Sequence, residues 1–118
     1  DRQRLGFTLW NLGNQSEAES LLSESVRICE RGIAAGDQTY GPREVMSMVQ
    51  AIRGNREEAL KWLEKAIEAG WRWYDVALKD PVWDNLREDP GFQQLMAEVE
   101  VKVDEMRRLA VEMEKEWE

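Results

Sequence analysis

The chain has 118 residues, which suits one domain around a single core and leaves no room for two. Its 24 acidic and 16 basic side chains leave a formal charge of −8, so nucleic acid and bare membrane are poor partners for it. Histidine is absent and Cys29 is the lone cysteine; this removes the commonest general base, the Ser-His and Cys-His nucleophile pairs, thiolate metal clusters and any intrachain disulfide.

No enzymatic activity, cofactor or metal is therefore expected. Threonine occurs only at Thr8 and Thr39, while Ala, Leu, Glu, Lys and Arg are plentiful, a mixture that favours helix over strand. No stretch approaches the roughly 20 apolar residues that span a bilayer, and no secretory signal is visible, so a cytoplasmic location is expected.

The predicted elements begin with a helix on which Leu5, Leu9 and Leu12 recur at helical spacing before Gly13 stops it. Asn14 and Ser16 offer N-caps, and Ser16 with Glu19 fits a capping box. Ala18, Leu21, Leu22, Ser25, Val26 and Cys29 line one face of a second helix, ending at Gly32 or, if the helix is long, at Gly36. Cys29 reads there as a small buried hydrophobe. Residues 37–41 form a turn, and Pro42 sits in the first turn of a third helix, which carries Val45, Met46, Val49 and Ile52 and closes at Gly54. Asn55 caps a fourth helix with Ala59, Leu60, Leu63, Ala66 and Ile67 inside, and Gly70 ends it.

Residues 71–79 read as a loop with a short helical stretch. A duplicated phrase follows: Asp80-Pro81-Val82-Trp83 leads to Leu86, and Asp89-Pro90-Gly91-Phe92 leads to Leu95. In each copy Asp caps, Pro takes the first helical position, and an aromatic residue and a leucine face inward. The first copy makes a short helix; the second opens one that runs to about residue 116, roughly 40 Å long at 1.5 Å per residue.

The chain also repeats itself. Gly13-Asn14-Gln15-Ser16-Glu17-Ala18 with Leu22 lines up with Gly54-Asn55-Arg56-Glu57-Glu58-Ala59 and Leu63, 41 residues later. Leu5-Gly6-x2-Leu9 followed by Ala18-x3-Leu22 resembles the tetratricopeptide repeat, with Gly6 and Ala18 small where two helices approach most closely. The second copy matches in Ala59-x3-Leu63 and Ala66, but its first helix has Met46 and Ser47 for Leu-Gly, and Gln50 where a large apolar residue is usual. The family's closing proline is absent from both. The 41-residue step exceeds the usual ~34, which predicts an extended helix or longer loop across residues 32–41.

The resemblance implies an all-α fold of antiparallel helix hairpins stacked as an α-α superhelix. Residues 3–36 form the first hairpin, 42–70 the second, and 71–118 a capping segment with a long C-terminal helix. It also implies a protein-binding scaffold, the C-terminal part of a longer array in a larger bacterial multidomain protein.

In this family the first helix of each hairpin lines a concave groove that receives a peptide or helix. By position, the groove residues would be Gln3, Arg4, Phe7, Trp10 and Asn11, with Glu44, Val45, Met48 and Ala51 from the third helix. Phe7, Trp10 and Met48 beside Arg4 have the character of a binding hot spot. The alternative is that an upstream repeat or the C-terminal helix covers them. The family's carboxylate clamp requires Lys and Asn where this chain carries Gln3, Phe7 and Val45, so a chaperone tail is not the expected ligand.

On the last helix Phe92, Met96, Val99, Val103, Met106, Ala110, Met113 and Trp117 are spaced alternately by 4 and 3, a heptad seam broadened by Leu95 and Leu109. Val99, Val103, Met106, Ala110 and Met113 could serve self-association as a homodimer, or the seam's first half could cap the repeat stack. Trp71, Trp73 and Trp83 cluster with Tyr74, either filling a core under a loop or forming an aromatic pocket. Asp80, Asp84 and Asp89 lack the spacing of a calcium loop, and the first and last read as N-caps.

Overall fold

A computed structural model describes residues 2–117. The order is α1 (Arg2–Asn11), α2 (Gln15–Ala34), α3 (Tyr40–Arg53), α4 (Arg56–Glu68), α5 (Tyr74–Ala77), a 3-10 turn (Pro81–Trp83) and α6 (Pro90–Glu116). No strand occurs among the described residues.

The first two helices form one hairpin and the next two another, each turning through a glycine with φ in the left-handed region: Gly13 at +89° and Gly54 at +82°. Only glycine takes that conformation without steric cost, so the equivalent turns are written in the sequence. Gly6 sits at the crossing of α1 and α2. A Cβ there would lie 2.8 Å from Leu22 Cδ2 and 3.5 Å from the Ala18 carbonyl oxygen, so the absence of a side chain sets the helix spacing. The second helix runs on to Ala34, the longer of the two expected ends, and absorbs much of the extra length between repeats.

The core joins Leu22 of α2 to Val49 and Ile52 of α3, to Ala59, Leu63, Ala66 and Ile67 of α4, and onward to the C-terminal segment. That segment supplies Trp71, Ala77, Val82, Trp83, Leu86, Phe92, Met96 and Val99, all buried. Trp83 and Phe92 meet at 6.1 Å between ring centroids, tilted by 31°. Both Asp-Pro phrases behave alike: Asp80 accepts from the Val82 amide at 3.1 Å and Asp89 from the Gly91 amide at 2.8 Å. The first makes only the 3-10 turn, and Leu95 is half-buried, with Met96 filling the core in its place.

Two expectations are corrected. Leu5 and Leu12 are exposed, at 53% and 74%, and Leu9 is half-buried, so the leucine stripe is not the inner face of α1. That helix buries Gly6 against α2 and turns Phe7 and Trp10 toward the core, which leaves the leucine stripe on a flank of the helix. Ser16 and Glu19 form no capping box: Asn14 is the N-cap residue, without a side-chain bond. Glu19 instead binds Arg53 across the hairpins and accepts from Ser23 at 3.2 Å.

The radius of gyration is 16.2 Å, against roughly 13–14 Å for a compact domain of this length. The excess lies in α6, whose described residues from 104 onward are all exposed.

Candidate functional site

Family position puts the candidate groove on the inner faces of α1 and α3, and the chain's own C-terminal segment lies across it. The 3-10 turn packs on α3, and Asn85 Nδ2 donates a 2.9 Å hydrogen bond to the Ala51 carbonyl oxygen. Met48 at 3% and Ala51 at 0% exposure are therefore core residues and line no open groove, which corrects that part of the expectation. The half-buried Glu44 accepts from the Trp71 indole N–H. Of the Trp cluster, Trp71 and Trp83 fill core, while Trp73 is 53% exposed and donates to the Tyr40 hydroxyl at 2.9 Å.

Arg4 is taken up by the same segment. Its guanidinium forks onto Asp80, with Nη2–Oδ2 at 2.7 Å and Nη1–Oδ1 at 3.3 Å. Burial works to raise the Asp80 carboxyl. The Arg4 bond, the Val82 amide and the charges of Arg4 and Arg87 outweigh it and hold the group below its usual range. The Asp80 hydrogen bond likewise raises the Arg4 guanidinium, against burial and with help from the charges of Asp80 and Glu44. Arg87 donates to the Asp80 carbonyl at 2.9 Å and to Asp84 at 2.8 Å.

What stays open is a cleft of about 260 Å³ between α1, α3 and the 3-10 turn. Phe7, Trp10 and Asn11 form one wall, Ile52 the floor, and Pro81, Val82, Asp84 and Asn85 the other wall. Phe7 and Trp10 are half-buried, backed by the core yet open to the cleft, and Asn11 is exposed. Gln3 is half-buried and does not line it. Three of the groove residues expected from sequence thus meet in one place. The far wall was missed, although the duplicated Asp-Pro phrase marks the segment that builds it.

On α6, Val99 is fully buried and Val103 half-buried in the cap, while Met106, Ala110 and Met113 are exposed. The expected seam therefore divides: its first part is core, and only its distal part faces solvent. Cys29 is buried, and burial, followed by the charges of Asp37 and Glu30, raises its thiol. Trp62 is half-buried under the Lys65 ammonium, 4.3 Å from the ring centroid. No group of three or more acidic or cysteine side chains placed to hold a metal occurs among the described residues. No helix among them is long and apolar enough to cross a membrane.

Stacked helical hairpins closed by a terminal helix define an α-solenoid type of protein. The model of the tetratricopeptide repeat family matches residues 2–32, which span the first hairpin, so that hairpin is similar to a tetratricopeptide repeat. No curated protein and no solved structure matches the chain. Repeats of this family mediate protein–protein interactions and as a class are not catalytic.

Proposed function

We propose that the protein is a non-catalytic scaffold that holds a segment of a partner protein in the cleft between α1 and the 3-10 turn. The observation that carries this reading is the pair Phe7 and Trp10, half-buried side by side on a core-backed wall opposite Asp84 and Asn85. Aromatic anchors with polar groups facing them are how small interfaces concentrate their binding free energy. The cleft is short, so it takes one or two side chains of an extended segment. The net charge of −8 favours a segment with an apolar residue flanked by Lys or Arg.

The test is selection from a random peptide library displayed on phage, followed by titration of the winning synthetic peptides. Apolar-basic peptides should emerge and lose at least tenfold in affinity to Trp10→Ala, measured at a temperature where circular dichroism shows the variant folded. Peptides that bind the folded variant as well as the parent would overturn the assignment.

The half-buried Leu9 and exposed Leu5 and Leu12 suit a further helix pair stacked on α1, in keeping with a place in a larger bacterial multidomain protein. A second reading, self-association, is supported by the exposed Met106, Leu109, Met113 and Trp117 on the distal part of α6. Light scattering on the purified chain tests it directly.

A further inference from the structure

The long helix α6 outruns the body it caps. Met106, Ala110, Met113 and Trp117 continue the stripe of Phe92, Met96, Val99 and Val103, so an apolar seam passes unbroken from core into solvent. At its end Trp117 is 88% exposed. Where the helix leaves the body, Trp73 and Tyr74 meet Val103, Met106 and Ala110 in a largely apolar notch of about 390 Å³, with Arg107 at its rim.

We propose that a second copy of this chain docks antiparallel along α6, each copy placing its Trp117 in the notch of the other. The proposal rests on the self-association reading and specifies its register. In an antiparallel pair that layers Ala110 against Met113 of the second copy, heptad spacing sets Met106 against Trp117 of that copy. Met106 is a wall of the notch, so the most prominent exposed indole arrives at an apolar recess able to take it.

Charge selects the same arrangement. Arg107 and Glu114 occupy the same flanking position of successive heptads, beside Met106 and Met113. In the antiparallel register each Arg107 lies against Glu114 of the second copy, twice by symmetry. A parallel pair would instead bring Lys102 against Arg107, cation to cation.

The area is adequate without being large. Two indoles at about 150–250 Å² each, with the surfaces they cover, bring the interface to roughly 1,000 Å², where specific association begins. The net charge of −8 on each copy opposes association, so the dimer is a concentration-dependent one.

Sedimentation equilibrium on the full chain across a wide concentration range tests the proposal. The parent should dimerise reversibly, and Trp117→Ala should raise the dimer dissociation constant by about tenfold or more. Arg107→Glu alone and Glu114→Arg alone should each weaken the dimer. An equimolar mixture of these two variants should restore it, because one copy then carries acids at both flanking positions and the other bases. All three side chains are exposed, so circular dichroism should show every variant folded. If the parent dimerises but the substitutions leave the dissociation constant unchanged, the register is overturned and self-association stands. If the parent stays monomeric throughout, both fall.

Discussion

The Ser47 hydroxyl donates a 2.6 Å hydrogen bond to the Ala59 carbonyl oxygen, in the buried crossing of α3 and α4. The same 41-residue step that separates Ala18 from Ala59 separates Gly6 from Ser47, so the two crossings use equivalent positions. In the first, contact is made by leaving out the side chain. In the second, the smallest hydroxyl is kept and satisfied by the backbone of the facing helix. Ser47→Ala should cost about 0.5–1.5 kcal/mol and Ser47→Leu, which overfills the crossing, about 1–3 kcal/mol, both read from urea unfolding midpoints.

The leucines of α1 and the leucine of the cap should respond in opposite ways to truncation. Leu86 is 0% exposed in the core that the C-terminal segment shares with α3 and α4, and Leu86→Ala should cost about 2–5 kcal/mol. Leu12 is 74% exposed, and Leu12→Ala should stay within about 0.5 kcal/mol of the parent. Comparable losses at the two sites in the isolated chain would mean that the stripe on α1 is covered.

The Arg4–Asp80 pair ties the first helix to the cap and carries a pH signature. Asp80 is held below its unfolded value, so its contribution is present above the ordinary carboxylate range and is lost as pH falls through the lower folded value. Asp80→Asn keeps a capping side chain but loses the charge, at about 1 kcal/mol near neutral pH, since Arg4 is half exposed. The gap in Tm between parent and variant should therefore narrow below about pH 4. A gap that widens on acidification would show that the pair does not stabilise the fold.

Trp71 joins the cap to α3 through its indole N–H on the Glu44 carboxylate. Trp71→Phe retains most of the packing and removes that donor from a half-buried carboxylate. The expected loss is about 1–3 kcal/mol, and Trp71→Phe/Glu44→Gln should cost less than the two single changes together. Thermal melts of the four proteins measure that coupling.

Helix positions, hairpin turns and the two Asp-Pro caps were legible because they depend on neighbours in sequence. The Ser16–Glu19 capping box, by contrast, did not form, and Asn55 sits at the N-cap of α4 without a side-chain capping bond. Gly13 and Gly54 mark left-handed turns that other residues take only under strain, and Asp-Pro at 80–81 and 89–90 presets a helical start. Helical periodicity likewise located the inner face of α4, where Ala59, Leu63, Ala66 and Ile67 are all buried. Periodicity reports that a stripe exists and is silent about what covers it. Leu5, Leu9 and Leu12 form as regular a stripe on α1, yet Leu5 and Leu12 face solvent because close approach at Gly6 turns that face away.

The candidate site depended on that same distinction. Phe7, Trp10 and Asn11 could be placed on one helix wall by spacing alone. Whether Met48 and Ala51 joined them was decided by a segment more than twenty residues further along, whose Asn85 and Val82 lie over α3. By itself the sequence determined the helices, their ends and the repeat, because backbone conformation answers to local residue chemistry. Only the tertiary structure decided which apolar faces are spent on the chain's own core and which stay open, because that outcome depends on contacts between residues far apart in sequence.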